Sequence, residues 1–170
     1  MIAIYVARRD PDGEPEEMSD FDDRLAARGL TLPEAAAPAA NYVPYVVAGD
    51  MLYVSGQISM ENGALITGKV GDALSTEDGA HAAMRCGLNL LAQVRAALDG
   101  DMSRLVRVVK LTGFVNSTPD FTEQPKVVNG CSDLMVDLLG DRGRHARSAV
   151  SAGALPLGVA VEIEGIFQIA

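Results

Sequence analysis

The hydrophobic pattern between residues 42 and 170 alternates between the two-residue period of a strand and the 3.6-residue period of a helix. Two strand-like segments come first, at residues 42–47 and 51–55, and the turn residues Gly49 and Asp50 join them into a hairpin. A helix, a strand, a second helix and two more strands follow. This ββαβαββ order predicts an α+β domain in which both helices pack on one face of a sheet.

The helix boundaries are marked by capping residues. Ser75 with Asp78 three residues later predicts the first helix start, and apolar residues at three- and four-residue intervals continue to near Gly100. The second helix is predicted between Phe121 and Gly140, with Pro125 in its first turn. The three strands that follow the hairpin are predicted at residues 105–115, 146–152 and 158–169.

The second face of this sheet has no predicted cover. No other segment is long and apolar enough to pack on it, so we expect a homo-oligomer to bury it. Pro44 restricts the first strand to a sheet edge or a strand start.

The first 41 residues are predicted to be an N-terminal extension to a domain at residues 42–170. They contain a short strand-like start, an acidic linker and a short helical pattern that begins after Ser19 and ends at Gly29. Eight of the 23 acidic residues lie between Asp10 and Asp23 with no basic residue among them, and the rest of the chain is nearly neutral. Met18 is an alternative start.

Several functional classes are disfavoured by composition. No apolar run approaches the roughly 18 residues of a membrane helix, and no secretion signal is expected. A nearly neutral body argues against nucleic-acid binding. Two cysteines, Cys86 and Cys131, are expected to be core residues in a cytoplasmic protein. Two histidines and no ligand spacing predict no metal, and no nucleotide motif is present.

Two sets of charged residues stand out. Arg147 opens a predicted strand, so its guanidinium could bind a carboxylate through two hydrogen bonds, although its spacing alone favours a structural ion pair. Glu162 and Glu164 alternate with apolar neighbours and therefore share one face of the last strand. That face is either simply exposed or lines a cleft between subunits; the pattern alone favours exposure.

Several short motifs resemble the YjgF/Rid family of enamine and imine deaminases, also described as L-PSP endoribonucleases. The similarity covers residues 42–170, and departures from the shortest family members resemble a longer subgroup whose substrate is not settled. The motifs are Ser55-Gly56-Gln57, Asn129, Arg147-Ser148-Ala149-Val150, Leu155-Pro156 and Val161-Glu162-Ile163-Glu164.

The resemblance implies a chorismate-mutase-like fold assembled as a homotrimer around a central barrel. It also implies a cofactor-independent site between subunits that hydrolyses 2-imino or 2-enamino acids to 2-keto acids and ammonia. Arg147 would bind the substrate carboxylate and Glu162 would position or deprotonate water. Tyr45, Ser55, Gly56, Asn129 and Ala149 would line the pocket, with Ala149 standing where many deaminases have cysteine.

Two further hypotheses remain open. The same cleft could bind small carboxylates such as 2-keto acids without catalysis, which would require Arg147 but not Glu162. RNA cleavage, the older family description, is the least favoured hypothesis, because the sequence offers neither a basic surface nor a histidine pair or metal site for phosphodiester chemistry.

Overall fold

The computed structural model describes residues 21–36 and 41–170. Ser19, Met18 and the predicted N-terminal strand lie outside the described residues. The helices are α1 (Phe21–Ala27), α2 (Thr76–Ala97) and α3 (Gln124–Leu139). The strands are β1 (Tyr45–Ala48), β2 (Met51–Ile58), β3 (Met60–Glu61), β4 (Ala64–Leu65), β5 (Leu105–Asn116), β6 (Ala146–Ala152) and β7 (Val161–Ile169).

Five strands form one mixed sheet in the order β1-β2-β7-β5-β6. Neighbouring strands are antiparallel except β5 and β6, which run parallel because α3 carries the chain back between them. The last strand therefore inserts into the middle of the sheet, and β1 and β6 form its edges. Pro44 lies directly before the edge strand β1, as its missing N–H donor requires.

The core lies between one face of the sheet and helices α2 and α3. Alternate residues of β7 are fully or almost fully buried on that side, from Val161 to Ile169. The two helices approach closely at Gly130, where an added Cβ would lie 1.9 Å from the backbone oxygen of Ala80. Small residues at this crossing allow both helices to lie flat on the sheet.

The predicted helices and main strands are present, with differences at several boundaries. Strand β1 begins at Tyr45 rather than residue 42, and β7 begins at Val161 rather than residue 158. The α2 capping box between Ser75 and Asp78 is confirmed. Helix α3 begins at Gln124 rather than Phe121, because the Phe121 N–H closes a turn onto the oxygen of Thr118. Strand β2 extends to Ile58 across a bulge. The predicted turn at Asn62 is flanked by the short strands β3 and β4, which the pattern did not indicate.

The described part of the N-terminal segment packs on the helices. Phe21 and Leu25 of α1 are buried, and Arg28 lies 2.6 Å from Asp137 of α3. The Gln93 side-chain amide of α2 donates to the oxygen of Ala36 at 2.8 Å. The helix predicted before Gly29 is therefore confirmed; the domain boundary at residue 41 stays a prediction.

The second sheet face is uncovered in a single chain, as predicted. Val46 of β1, Tyr53 of β2 and Val150 of β6 are 51%, 45% and 44% exposed. Val46, Tyr53 and Ile166 occupy one row across three neighbouring strands. We call this surface the open face. Within the described residues, no helix has the length and apolar character needed to cross a bilayer.

Candidate functional site

Arg147 is held against α3 by uncharged groups. Its Nη1 donates to Oδ1 of Asn129 at 2.8 Å and to Oγ of Ser132 at 3.0 Å. Residues 129 and 132 are one turn apart on α3 and so face the same side. No carboxylate of the described residues forms an ion pair with Arg147, so the ion pair that spacing favoured is wrong. Its charge is left available for an anion.

The free edge of Arg147 has the geometry of a carboxylate site. Both Nη1 protons point to α3, whereas Nε and Nη2 donate to none of the described residues. These two nitrogens form the side of the guanidinium that matches the two oxygens of a carboxylate.

Glu162 lies against the backbone of the bulge in β2. An added Cβ on Gly56 would be 2.1 Å from Glu162 Oε1, so only glycine leaves room for this carboxylate. Partial burial raises the pKa of Glu162, and the neighbouring charge of Glu164 raises it further. A raised pKa makes the Glu162 carboxylate a stronger base than a free carboxylate, which suits it to accept a proton from water.

One chain does not bring Arg147 and Glu162 together. Arg147 pairs with Leu111 of β5 and faces the helices, whereas Glu162 pairs with Phe114 and faces the opposite side. Two strand spacings and three residues along β5 place their Cα atoms roughly 14 Å apart. A small substrate therefore cannot contact both residues of the same chain.

Most of the other predicted residues fall into the same two groups, and Tyr45 lies at the opposite sheet edge from Arg147. Ser55 and Gly56 lie together in the β2 bulge near Glu162, and the Ser55 hydroxyl donates to the oxygen of Val43 at 2.9 Å. Ala149 follows Arg147 on the helix-facing side of β6 and packs against the core. Tyr45 in edge strand β1 also packs against the core, on the side away from the open face.

Sequence reasoning missed two residues of the Arg147 group. Ser132 accepts a hydrogen bond from Arg147, and His145 Nε2 lies 3.1 Å from the same hydroxyl. The one-turn spacing between Asn129 and Ser132 was a usable signal, because it puts both polar side chains on one face of a predicted helix. The position of His145 two residues before Arg147 placed it on the same side of the strand.

Across residues 21–36 and 41–170, no cluster of three histidine, cysteine or acidic side chains is placed to hold a metal ion. Cys86 and Cys131 are free and buried. Burial raises the pKa of both thiols, that of Cys131 to about 12, which keeps them protonated as predicted for core residues.

Comparison with known proteins identifies the family of this chain. Residues 22–164 match the family model described as "YjgF/chorismate_mutase-like, putative endoribonuclease". The chain is 49% identical to Protein TCP17 of Trypanosoma cruzi over 147 residues, which cover 85% of this chain and 91% of that protein.

Solved structures agree with this assignment. Protein Atu1372 of Agrobacterium tumefaciens, of unknown function, is 48% identical with a TM-score of 0.84, over 88% of this chain and 92% of that one. RidA from an Antarctic Psychrobacter is 27% identical with a TM-score of 0.55, over 80% and 94% of the two chains. The predicted α+β, chorismate-mutase-like fold is confirmed. The chain belongs to the YjgF/chorismate-mutase-like family.

Proposed function

We propose that this protein hydrolyses reactive 2-imino and 2-enamino acids to 2-keto acids and ammonia, without a cofactor, in clefts between the subunits of a homotrimer. The observation that carries the proposal is the charge of Arg147, which neutral side chains hold in place while its Nε and Nη2 edge stays free. Similarity to RidA supports the choice of reaction.

The separation of Arg147 from Glu162 calls for a second chain. Arg147 with Asn129 would come from one protomer, and Glu162 with Ser55 and Gly56 from its neighbour. Packing of the open faces around a central barrel would bury the exposed apolar side chains of that surface and bring these two groups together. A cyclic trimer would contain three such clefts.

The proposed hydrolysis depends mainly on holding the substrate imine and a water molecule in the correct positions. Arg147 binds the substrate carboxylate and so fixes the adjacent imine carbon. A water molecule adds to that carbon while Glu162 accepts its proton. Glu162 then returns the proton to the nitrogen, which gives a carbinolamine. The hydroxyl proton of this intermediate passes through Glu162 to the amino nitrogen as the carbonyl forms and the C–N bond breaks, and ammonia and a 2-keto acid leave. The imine carbon is already electrophilic, so no further group is required.

Ammonia release from enzymatically generated 2-iminopropanoate tests the proposal. Replacing Arg147 by alanine removes two charge-assisted hydrogen bonds, so kcat/KM should fall by roughly 100-fold or more. Arg28→Ala is the matched control, since its ion pair with Asp137 lies on the surface and contributes little. Equal rates for wild type and Arg147→Ala would overturn the proposal.

A non-catalytic carboxylate binder is the second candidate function. Its support is that the groups holding Arg147 all belong to one chain, whereas Glu162 lies on the other face of the sheet. Titration with pyruvate separates the two candidates. Unchanged affinity in Glu162→Gln, with no turnover by either form, would select binding over catalysis.

We also propose a cytoplasmic location, in line with two free cysteines in the described chain. A redox-insensitive melting temperature, measured with and without reductant, is the expected result.

A further inference from the structure

Arg147 is the first member of a hydrogen-bonded chain that leads away from the candidate cleft. Its Nη1 lies 3.0 Å from Ser132 Oγ, which lies 3.1 Å from His145 Nε2. His145 Nδ1 lies 2.6 Å from the backbone oxygen of Gly143. The chain therefore connects β6, helix α3 and the turn between them.

The direction of each hydrogen bond follows from what the groups can donate. The Gly143 carbonyl can only accept, so the proton of the neutral imidazole is on Nδ1 and Nε2 is an acceptor. The Ser132 hydroxyl then donates to Nε2 and accepts from Arg147. Every side-chain polar atom of Ser132 and His145 has a partner of the right kind, which fixes the positions of these two side chains.

The charges around His145 favour its neutral form. Arg147 acts from β6, and Arg107 of β5 and Arg144 line the same groove as His145. Among the described residues, the only acid that forms an ion pair with these arginines is Asp141, which lies 3.0 Å from Arg144. Burial lowers the pKa of His145, and the positive charge of Arg147 lowers it further. The hydrogen bond to the Gly143 oxygen acts in the opposite direction.

Without Ser132 and His145, a single hydrogen bond to Asn129 would hold the Arg147 guanidinium. Asn129 is exposed and supplies one acceptor, which fixes a single N–H direction. The second acceptor, Ser132, uses the other Nη1 proton and sets the plane of the guanidinium. The orientation of Ser132 depends in turn on His145, because a serine hydroxyl otherwise rotates freely.

We propose that Ser132 and His145 are positioning residues that orient Arg147 so that its Nε and Nη2 edge meets the substrate carboxylate. This inference rests on the proposed carboxylate site and extends it to two residues that do not touch the substrate. It makes the site selective for a planar carboxylate bound edge-on. Loss of either residue should weaken substrate binding while leaving the water-activating group unchanged.

The test measures pyruvate affinity by calorimetry, and kcat and KM for 2-iminopropanoate, in the full-length protein. Ser132→Ala should raise Kd and KM roughly tenfold, the effect of one hydrogen bond to a charged group, with kcat within about twofold. Ser132→Thr keeps the hydroxyl and should restore both values. His145→Leu should raise Kd about threefold, whereas His81→Leu, at an exposed histidine, should not.

The outcomes separate this inference from the proposed function. Equal pyruvate affinity in wild type and Ser132→Ala would overturn the positioning role alone. A loss that Ser132→Thr does not restore would assign the effect to packing and overturn it as well. Absence of pyruvate binding in wild type would overturn the proposed function together with this inference. Melting temperatures show which variants fold. If Ser132→Ala does not fold, His145→Leu tests the hydrogen-bonded chain independently.

Discussion

Gly56→Ala should inactivate the protein while leaving its fold and the binding of a substrate carboxylate by Arg147 intact. An added Cβ at position 56 would lie 2.1 Å from Glu162 Oε1, and ordinary contacts begin at 3.4 Å. The carboxylate must therefore retreat by about 1.3 Å, and a displacement of about 1 Å at a reacting group can cost 10²-fold in rate. We expect kcat/KM for 2-iminopropanoate to fall by about 100-fold, equivalent to about 2.7 kcal/mol of transition-state stabilisation.

The fold should tolerate this substitution. Gly56 does not have the left-handed backbone conformation that excludes alanine, and the clashing atom is the end of a movable side chain. Gly153→Ala is the matched control, because an added Cβ there meets nothing within 4 Å and its backbone also suits alanine. Steady-state ammonia release, circular dichroism melting and pyruvate titration complete the assay.

If Gly56→Ala retains kcat/KM within about threefold of Gly153→Ala, the position of the Glu162 carboxylate is irrelevant to catalysis and the prediction is wrong. Loss of pyruvate affinity in Gly56→Ala would also refute the prediction, since Gly56 would then act on the Arg147 half of the site.

Three other measurements probe the fold and the site. Gly130→Ala should destabilise the protein by about 3 kcal/mol, because its Cβ would clash with the Ala80 backbone at the helix crossing; a denaturant midpoint equal to wild type would contradict this packing. Cys86 and Cys131 should not react with a thiol reagent until guanidinium unfolds the chain, because both are buried and protonated; rapid labelling of native protein would refute this. Deamination should fall as pH decreases through the raised pKa of Glu162, because the base must be ionised; a flat profile down to pH 4 would exclude it as the base.

The pKa of Glu162 also predicts a stability effect with a defined sign. The folded state disfavours the ionised carboxylate, so the contribution of this group to stability is complete below its unfolded pKa and is lost as pH rises through its folded pKa. Glu162→Gln should therefore melt above wild type at pH 7, with a difference that shrinks towards pH 4. A lower melting temperature at pH 7 would contradict the assigned burial.

Local sequence signals were enough to predict the helices α2 and α3 and the five strands of the main sheet. The Ser75–Asp78 capping box, the Gly49–Asp50 turn and Pro125 in the first turn of α3 each have a local physical cause, and the structure has them. Strand order depends on contacts between distant residues. The insertion of β7 between β2 and β5 leaves no mark in the periodicity of any single strand.

Individual candidate residues could be named from the sequence and their roles stay predictions, whereas their division between two faces of the sheet could not be predicted. Period-two alternation gives the relative faces of Glu162 and Glu164 within one strand. It cannot relate the face of Arg147 to that of Glu162, which depends on how β6 and β7 each pair with β5. Ser132, unlike the predicted Asn129, was missed because it reaches Arg147 across the contact between α3 and β6.

Activity in mixed oligomers tests the shared site most directly. Arg147→Ala and Glu162→Gln should each be inactive alone, and the two chains are co-expressed with different tags and purified together. If each cleft takes Arg147 from one protomer and Glu162 from the next, every mixed trimer has about one cleft in three with both native residues. We therefore expect ammonia release at up to about one third of the wild-type rate. Purified mixed oligomers without activity, beside an active wild type, would contradict it.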